Sequence, residues 1–182
     1  MQMRIGILEA APATTRLDLV AEPVAAALRA WSGPVPADEI GVAEIDPDLA
    51  DTAAFCQRYE VGLDESANCV VVAARRGGET RFAACVVLAT TRADVNNLVR
   101  RHLGARRASF APLDAAVAET GMEYGGITPI GLPGHWPILV DAAVAASPRV
   151  VVGSGLRRSK LTLPGKALAD LDGAEVLEGL GR

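Results

Sequence analysis

The chain has 182 residues, 50% of them hydrophobic and 22% charged, with a formal net charge of -4. This suits one compact soluble unit with a substantial core, and its apolar runs, roughly four to eight residues long against the ~20 a bilayer crossing needs, exclude a membrane helix. The start has no signal-peptide layout, and Cys56, Cys69 and Cys85 are odd in number and widely spaced. A cytoplasmic protein with reduced thiols is therefore expected, without a disulfide framework or a CxxC metal site.

In chain order, Ile5 to Leu8 is a candidate strand and Ala10 to Thr15 a loop. Val20, Val24, Ala27, Leu28 and Trp31 fall at helical spacing, with Pro23 tolerable only in a first turn or at a kink, and Ser32-Gly33-Pro34 ends that helix. Asp46-Pro47 makes an N-cap and first-turn pair for a second helix, which buries Leu49, Ala53 and Cys56 and stops near Gly62. The β-branched, uniformly apolar Val70-Val71-Val72-Ala73 reads as a central strand, joined through Gly77-Gly78 to Phe82 to Leu88. Asp94 caps a helix carrying Val95, Leu98, Val99 and Leu103 and closed by Gly104; Pro112 opens another, with Leu113, Ala116 and Val117 facing inward and Gly121 past its end. Ile138-Leu139-Val140 and Val150-Val151-Val152 read as buried strands, Leu161 to Leu163 as an edge, and Gly165 to Leu171 as a terminal helix. Hairpins and helices mix without regular βαβ alternation, so the expected fold is α/β with a mixed, curled β-sheet and flanking helices.

The most informative stretch is Tyr124-Gly125-Gly126-Ile127-Thr128-Pro129-Ile130-Gly131-Leu132-Pro133. Adjacent glycines can set bare backbone N–H groups beside a ligand, and Pro129 fixes the direction in which the chain leaves. With its surroundings the stretch resembles the glycine-glycine-aliphatic-serine/threonine-proline loop of the YbaK/EbsC family, relatives of the bacterial prolyl-tRNA synthetase editing domain. The resemblance covers roughly the last two thirds of the chain. It also rests on the strand pair Cys69 to Ala74 and Arg81 to Leu88, the Asp94 to Leu103 helix, Thr120-Gly121, the strand ending in Asp141, and Val150-Val151-Val152-Gly153-Ser154-Gly155. It implies a single domain over 1–182, with 46–182 as the family core and 1–45 as an N-terminal extension or a lid.

Family members hydrolyse mischarged aminoacyl-tRNA, and the resemblance implies that role here, with no cofactor. It places the aminoacyl group and its carbonyl on Gly125, Gly126, Ile127, Thr128 and Pro129, continuing to Ile130 and Gly131, and gives Asp141 the α-amino group or a water. A turn built from the same glycines, and a strand-end cap at Asp141, are the bland alternatives. Ser154 and Gly155 either line the pocket opposite the loop or form a tight turn. The family's lysine at the start of the first core strand is replaced by Asn68, which hydrogen-bonds but carries no charge. Arg157, Arg158 or Lys160 could supply that charge from another direction.

A nucleic-acid substrate is compatible with the negative net charge if local basic pairs gather. Arg75-Arg76, Arg100-Arg101, Arg106-Arg107 and Arg157-Arg158 are the candidates, and only their clustering would make a tRNA footprint. Cys69 has no histidine partner and reads as core; His135 and His102 read as surface or packing residues. Two readings remain open. One is a trans-editing deacylase acting on the acceptor end of a mischarged tRNA, with an aminoacyl-tRNA synthetase as a possible further partner. The other is an inactive module of the same fold that binds aminoacyl-tRNA, a synthetase or an amino-acid-like metabolite. Oligomeric state and the amino acid are not legible.

Overall fold

The computed structural model describes residues 3–182. In chain order its strands are β1 (Met3–Ile5), β2 (Leu8–Pro12), β3 (Gly41–Glu44), β4 (Ala67–Arg76), β5 (Glu79–Leu88), β6 (Arg107–Phe110), β7 (Ile138–Asp141), β8 (Val150–Gly153), β9 (Ser159–Leu163) and β10 (Ala174–Leu177). The helices are α1 (Glu22–Arg29), α2 (Thr52–Tyr59), α3 (Arg100–His102), α4 (Leu113–Thr120), α5 (Ala142–Ala145) and α6 (Gly165–Ala169), with a π-helical stretch, Val95–Val99, leading into α3.

These strands form two sheets, ordered β1-β2-β3-β9-β8 and β10-β7-β5-β4-β6. The first is antiparallel throughout. The second is mixed, because β7 runs parallel to both β5 and β10 while β4 pairs antiparallel with β5 and β6. A single parallel bridge, Ser66 to Val151, joins the start of β4 to β8. The two sheets thereby curl into one another, and this mixed, curled α/β architecture is the one the sequence predicts. The central core, with Val24, Leu28, Val86, Val140, Val152, Leu161, Leu163 and Leu168, lies where they meet α1 and α6. Phe55 and Tyr59 of α2 pack with Ile5, Ala43, Ile45 and Val151 in a separate cluster. Among the described residues no helix is long and apolar enough to cross a membrane.

Local chemistry accounts for most boundaries. The β4–β5 hairpin turns on Gly77 and Gly78 at φ +59° and +81°, the left-handed pair that suits the strand twist. Pro23 sits in the first turn of α1, where its missing N–H costs nothing. Asp46 caps only a short 3₁₀ turn, accepting from the Asp48 N–H at 2.9 Å, and α2 begins later, at Thr52. Its buried face is Phe55, Cys56 and Tyr59, whereas Ala53 is exposed. The Asp94 carboxylate makes no cap hydrogen bond; it pairs with Arg182 at 3.1 Å.

Other expectations change. Ile5 to Leu8 is the turn of a hairpin rather than a strand, and at Gly6 a Cβ would fall 1.8 Å from the Tyr59 carbonyl oxygen. Leu161 to Leu163 belong to an interior strand, β9, flanked by β3 and β8 and buried along its whole length. Leu113 is half exposed, while Ala116 and Thr120 form the buried face of α4. Strands β6 and β10, which lack the apolar runs of the others, complete the two edges of the second sheet. Residues 3–44 supply α1 and β1 to β3, and so extend the first sheet.

Candidate functional site

A cavity of about 410 Å³ opens where the sheets join. That volume is within the usual range for small-molecule sites. Its wall comes from the start of β4 (Ser66 to Val71), the end of β8 (Val152 and Gly153), Ala50 to Thr52 ahead of α2, and the loop residues Tyr124, Gly125 and Ile127. Phe110, Leu113 and Tyr124, all large and at least half exposed, make an apolar rim. Residues of 3–45 do not line it.

Asn68 borders this cavity, and its amide oxygen accepts the Thr52 hydroxyl at 2.7 Å. Cys69 borders it too, but burial pushes its thiol well above the ordinary range, as it pushes Cys85 up to about 12. A thiolate nucleophile is therefore disfavoured. The remaining polar wall residue of consequence is Lys160, the second residue of β9. Its side chain is 8% exposed, its Nζ donates to the Ala50 carbonyl at 3.0 Å, and it stands 5.1 Å from the centre of the Phe55 ring. Burial, reinforced by Arg157, lowers its pKa to about 8 against the opposing pull of Cys56 and Asp51.

The glycine loop is held by a second turn, Gly153 to Arg157. Gly155 donates its N–H to the Gly126 carbonyl at 2.7 Å and accepts from the Glu123 N–H at 2.8 Å. Gly126 itself donates to the Glu123 carbonyl at 3.0 Å, and a Cβ on it would lie 2.8 Å from the Leu156 backbone. Its N–H is thus spent inside the protein, and its lack of a side chain is a packing requirement. Gly125 differs: it takes φ +80°, and neither its N–H nor that of Ile127 has a protein acceptor among the described residues. At the mouth, Arg157 donates from its backbone to Glu123 at 2.9 Å and from its guanidinium to the Tyr124 carbonyl at 3.2 Å, with Asp51 3.6 Å away.

The other predicted residues are placed elsewhere. Thr128 is fully buried, with a hydroxyl that has no partner among the described residues, and it does not line the cavity. Pro129, Ile130 and Gly131 border a different cavity of about 400 Å³, beside Trp31 and Leu132. Asp141 ends β7 next to β10; a Cβ on Gly181 would come 2.9 Å from its carboxylate. Ser154 is buried in the turn, accepting from the Leu156 N–H at 3.3 Å and lying 2.6 Å from the Ser159 hydroxyl. Gly155, at φ +85°, would drive a Cβ to within 2.4 Å of Ala21. Arg158 reaches the Asp18 carbonyl. The structure therefore brings together Asn68, Gly125 and Ile127, with Arg157 at the mouth, and leaves the remainder in supporting positions.

Sequence reasoning left Lys160 as one of three sources of charge and passed over Thr52, Asp51 and the Phe110 rim. The run Ser159-Lys160-Leu161-Thr162-Leu163 gave no sign that its lysine is buried; the structure buries all five positions of β9, where water cannot solvate the ammonium. Among the basic pairs, Arg75-Arg76 and Arg106-Arg107 meet around one groove with Gly77, Gly78, Glu79 and Thr80. Arg75 stands directly across from Arg107 in the β4–β6 register, at the opposite end of β6 from Phe110. Arg101 lies apart, beside Asp94, His102 and Leu177.

A family model for the aminoacyl-tRNA editing domain matches residues 46–171. Among solved structures, a protein described provisionally as a trans-editing enzyme for prolyl tRNA synthetase aligns with a TM-score of 0.71 and 20% identity, over 86% of this chain and 93% of that one. A structure from work on epitope backbone grafting onto scaffold proteins by computational design aligns with a TM-score of 0.71 and 22% identity, over 87% and 95%. The hypothetical protein APE2540 follows at 0.68 and 20%, over 78% and 90%. At such identities these structures bear on the fold alone.

Proposed function

The chain belongs to the aminoacyl-tRNA editing domain family, and on that premise we propose that it is a trans-editing deacylase, hydrolysing the ester that joins a wrong amino acid to the end of a tRNA. The observation that carries the reading is the cavity at the sheet junction, lined by Asn68, by Gly125 and Ile127, whose N–H groups have no protein acceptor among the described residues, and by a buried lysine, behind an apolar rim. An aminoacyl ester is already activated, so orientation and stabilisation of the developing oxyanion suffice, and no nucleophilic side chain is required. Water adds to the ester carbonyl, the bond to the ribose oxygen breaks, and the products are a free amino acid and a tRNA with its terminal hydroxyl restored.

In this reading the Gly125 and Ile127 N–H groups face the carbonyl oxygen. Asn68, fixed by Thr52, presents its amide N–H₂ to the substrate. Phe110 and Tyr124 offer faces on which the terminal base can stack, an interaction that tolerates solvent exposure. The arginine groove around Arg75 and Arg107 suits phosphates of the acceptor stem. Gly126, Ser154 and Gly155 act by holding the loop. Thr128, Pro129, Ile130, Gly131, Asp141 and Arg158 take no direct part, and the reading implies a cytoplasmic protein that needs no cofactor.

The test is release of free tRNA from a panel charged with Cys, Ala, Ser, Thr or Pro. Turnover of one charged species, reduced in Asn68→Ala, supports a deacylase. Saturable binding of charged tRNA with no turnover on any member supports the second reading, a binding module, for which the occupied amide oxygen of Asn68 speaks.

A further inference from the structure

Lys160 is a buried ammonium with an incomplete set of partners. It has three donors and one protein acceptor, the Ala50 carbonyl, and no carboxylate oxygen lies within ion-pair distance among the described residues. A charge taken out of water in this way is costly unless something of opposite sign completes it. The groups facing it from the surrounding elements do not. Phe55 and Cys56 come from α2, and the Cys56 thiol is itself pushed up by burial, hence neutral. Asp51 also borders the cavity, but it is mostly exposed and pairs with Arg157 at 3.6 Å, so those two charges offset each other and Lys160 is left as the unpaired one. The cavity wall is therefore electropositive on the β9 side.

From this geometry we infer that Lys160 receives an anionic oxygen of the ligand, the phosphodiester on the 5′ side of the terminal adenosine. The inference rests on the deacylase reading, which sets an aminoacyl-adenosine end in the cavity. That end has no free carboxylate and carries a positive α-ammonium, so the phosphodiester is its one lasting anion. A charge-assisted hydrogen bond from a buried ammonium is strong enough to be read in affinity. Asn68, on β4, borders the same cavity from the opposite sheet, which makes position 68 a second place from which a cation could reach the ligand.

The experiment compares binding of adenosine 5′-monophosphate with binding of adenosine, by calorimetry on the full chain. Wild type is expected to prefer the phosphate by roughly tenfold at about pH 7, and the preference should fade above about pH 8 as Lys160 loses its proton. Lys160→Met should abolish the preference while leaving adenosine affinity in place, and Asn68→Lys in that background should restore part of it. With charged tRNA, Lys160→Met should raise KM and spare kcat. Equal binding of adenosine and its 5′-monophosphate by wild type, a preference that survives Lys160→Met, or a fall in kcat alone would overturn the assignment, the last by moving Lys160 to the transition-state oxyanion. If Lys160→Met does not fold, the pH series on wild type decides by itself. Turnover of charged tRNA without any phosphate preference would sink this inference alone; absence of both turnover and nucleoside binding would sink the deacylase reading with it.

Discussion

Replacing Lys160 by methionine should make the protein more stable. The drop of its pKa from 10.5 to about 8 means that the folded environment disfavours the charged form by about 3 kcal/mol relative to the unfolded chain. Methionine has nearly the same length and no charge to desolvate. It forfeits the hydrogen bond to the Ala50 carbonyl, about 1 kcal/mol, and the cation–π contact with Phe55, about 1 kcal/mol, so a net gain of about 1 kcal/mol at about pH 7 is expected. The sign of the pH dependence follows from the direction of the shift. With the folded pKa depressed, the penalty is present in full below about pH 8 and is relieved as the pH rises from there toward 10.5, because over that window the unfolded state binds the extra proton. The advantage of the variant should thus shrink by about 1 kcal/mol between about pH 7 and about pH 9. Comparing the two proteins at each pH cancels the thiols, which titrate alike in both. Urea unfolding of wild type and variant at the two pH values measures all of this. A variant less stable than wild type at both, by the same amount, would show that Lys160 is a compensated structural residue and would remove the physical basis for an anion at that position.

Further expectations concern the loops and the arginines. Gly126→Val should lower stability by about 1–3 kcal/mol, since its side chain would meet the Leu156 backbone; a thermal melt unchanged from wild type would mean that the two loops are not clasped as described. Any loss of activity in that variant therefore reports on the fold as much as on the site. Ser154→Ala should cost about 1–3 kcal/mol in denaturant unfolding by stranding the Leu156 N–H in the buried turn, with little change in nucleoside affinity once folded protein is compared. Neutralising Arg75 and Arg107 together, each to serine, should reduce the salt slope of tRNA binding by about two. It should not lower the melting temperature, because like charges face each other there. A slope equal to that of wild type would take the groove out of the tRNA footprint.

What the sequence disclosed was what local chemistry determines. Gly77-Gly78 between two apolar runs fixes a hairpin without reference to the rest of the chain, and Gly104 and Gly121 stop their helices by the same local rule. The place of β9 was different. Three alternating residues, Leu161 to Leu163, fit an edge or an interior strand equally well, and only its pairing with β3, more than a hundred residues earlier, decides. Strand β10 escaped notice because Ala174 to Leu177 is half polar and owes its existence to the waiting edge of β7. In the glycine loop the pattern announced exposed backbone but not which N–H groups are free. Gly126 and Gly125 are indistinguishable in sequence, and the difference arises from Glu123 and the distant Gly155. For Asp141 the same holds: strand position was readable, direction was not.

The hydrogen bond from Lys160 to the Ala50 carbonyl spans 110 residues of chain, and the Ser66 to Val151 bridge is also long-range. The cavity wall is therefore closed by a segment synthesised long after β4, and the same late segment clasps the glycine loop. A nascent chain of about a hundred and fifty residues has the Phe110 rim but lacks the Gly153 to Arg157 turn that clasps the glycine loop, as well as β9 and the ammonium. Since long-range contacts of this kind are slow to close, completion of the site should be the last event in folding.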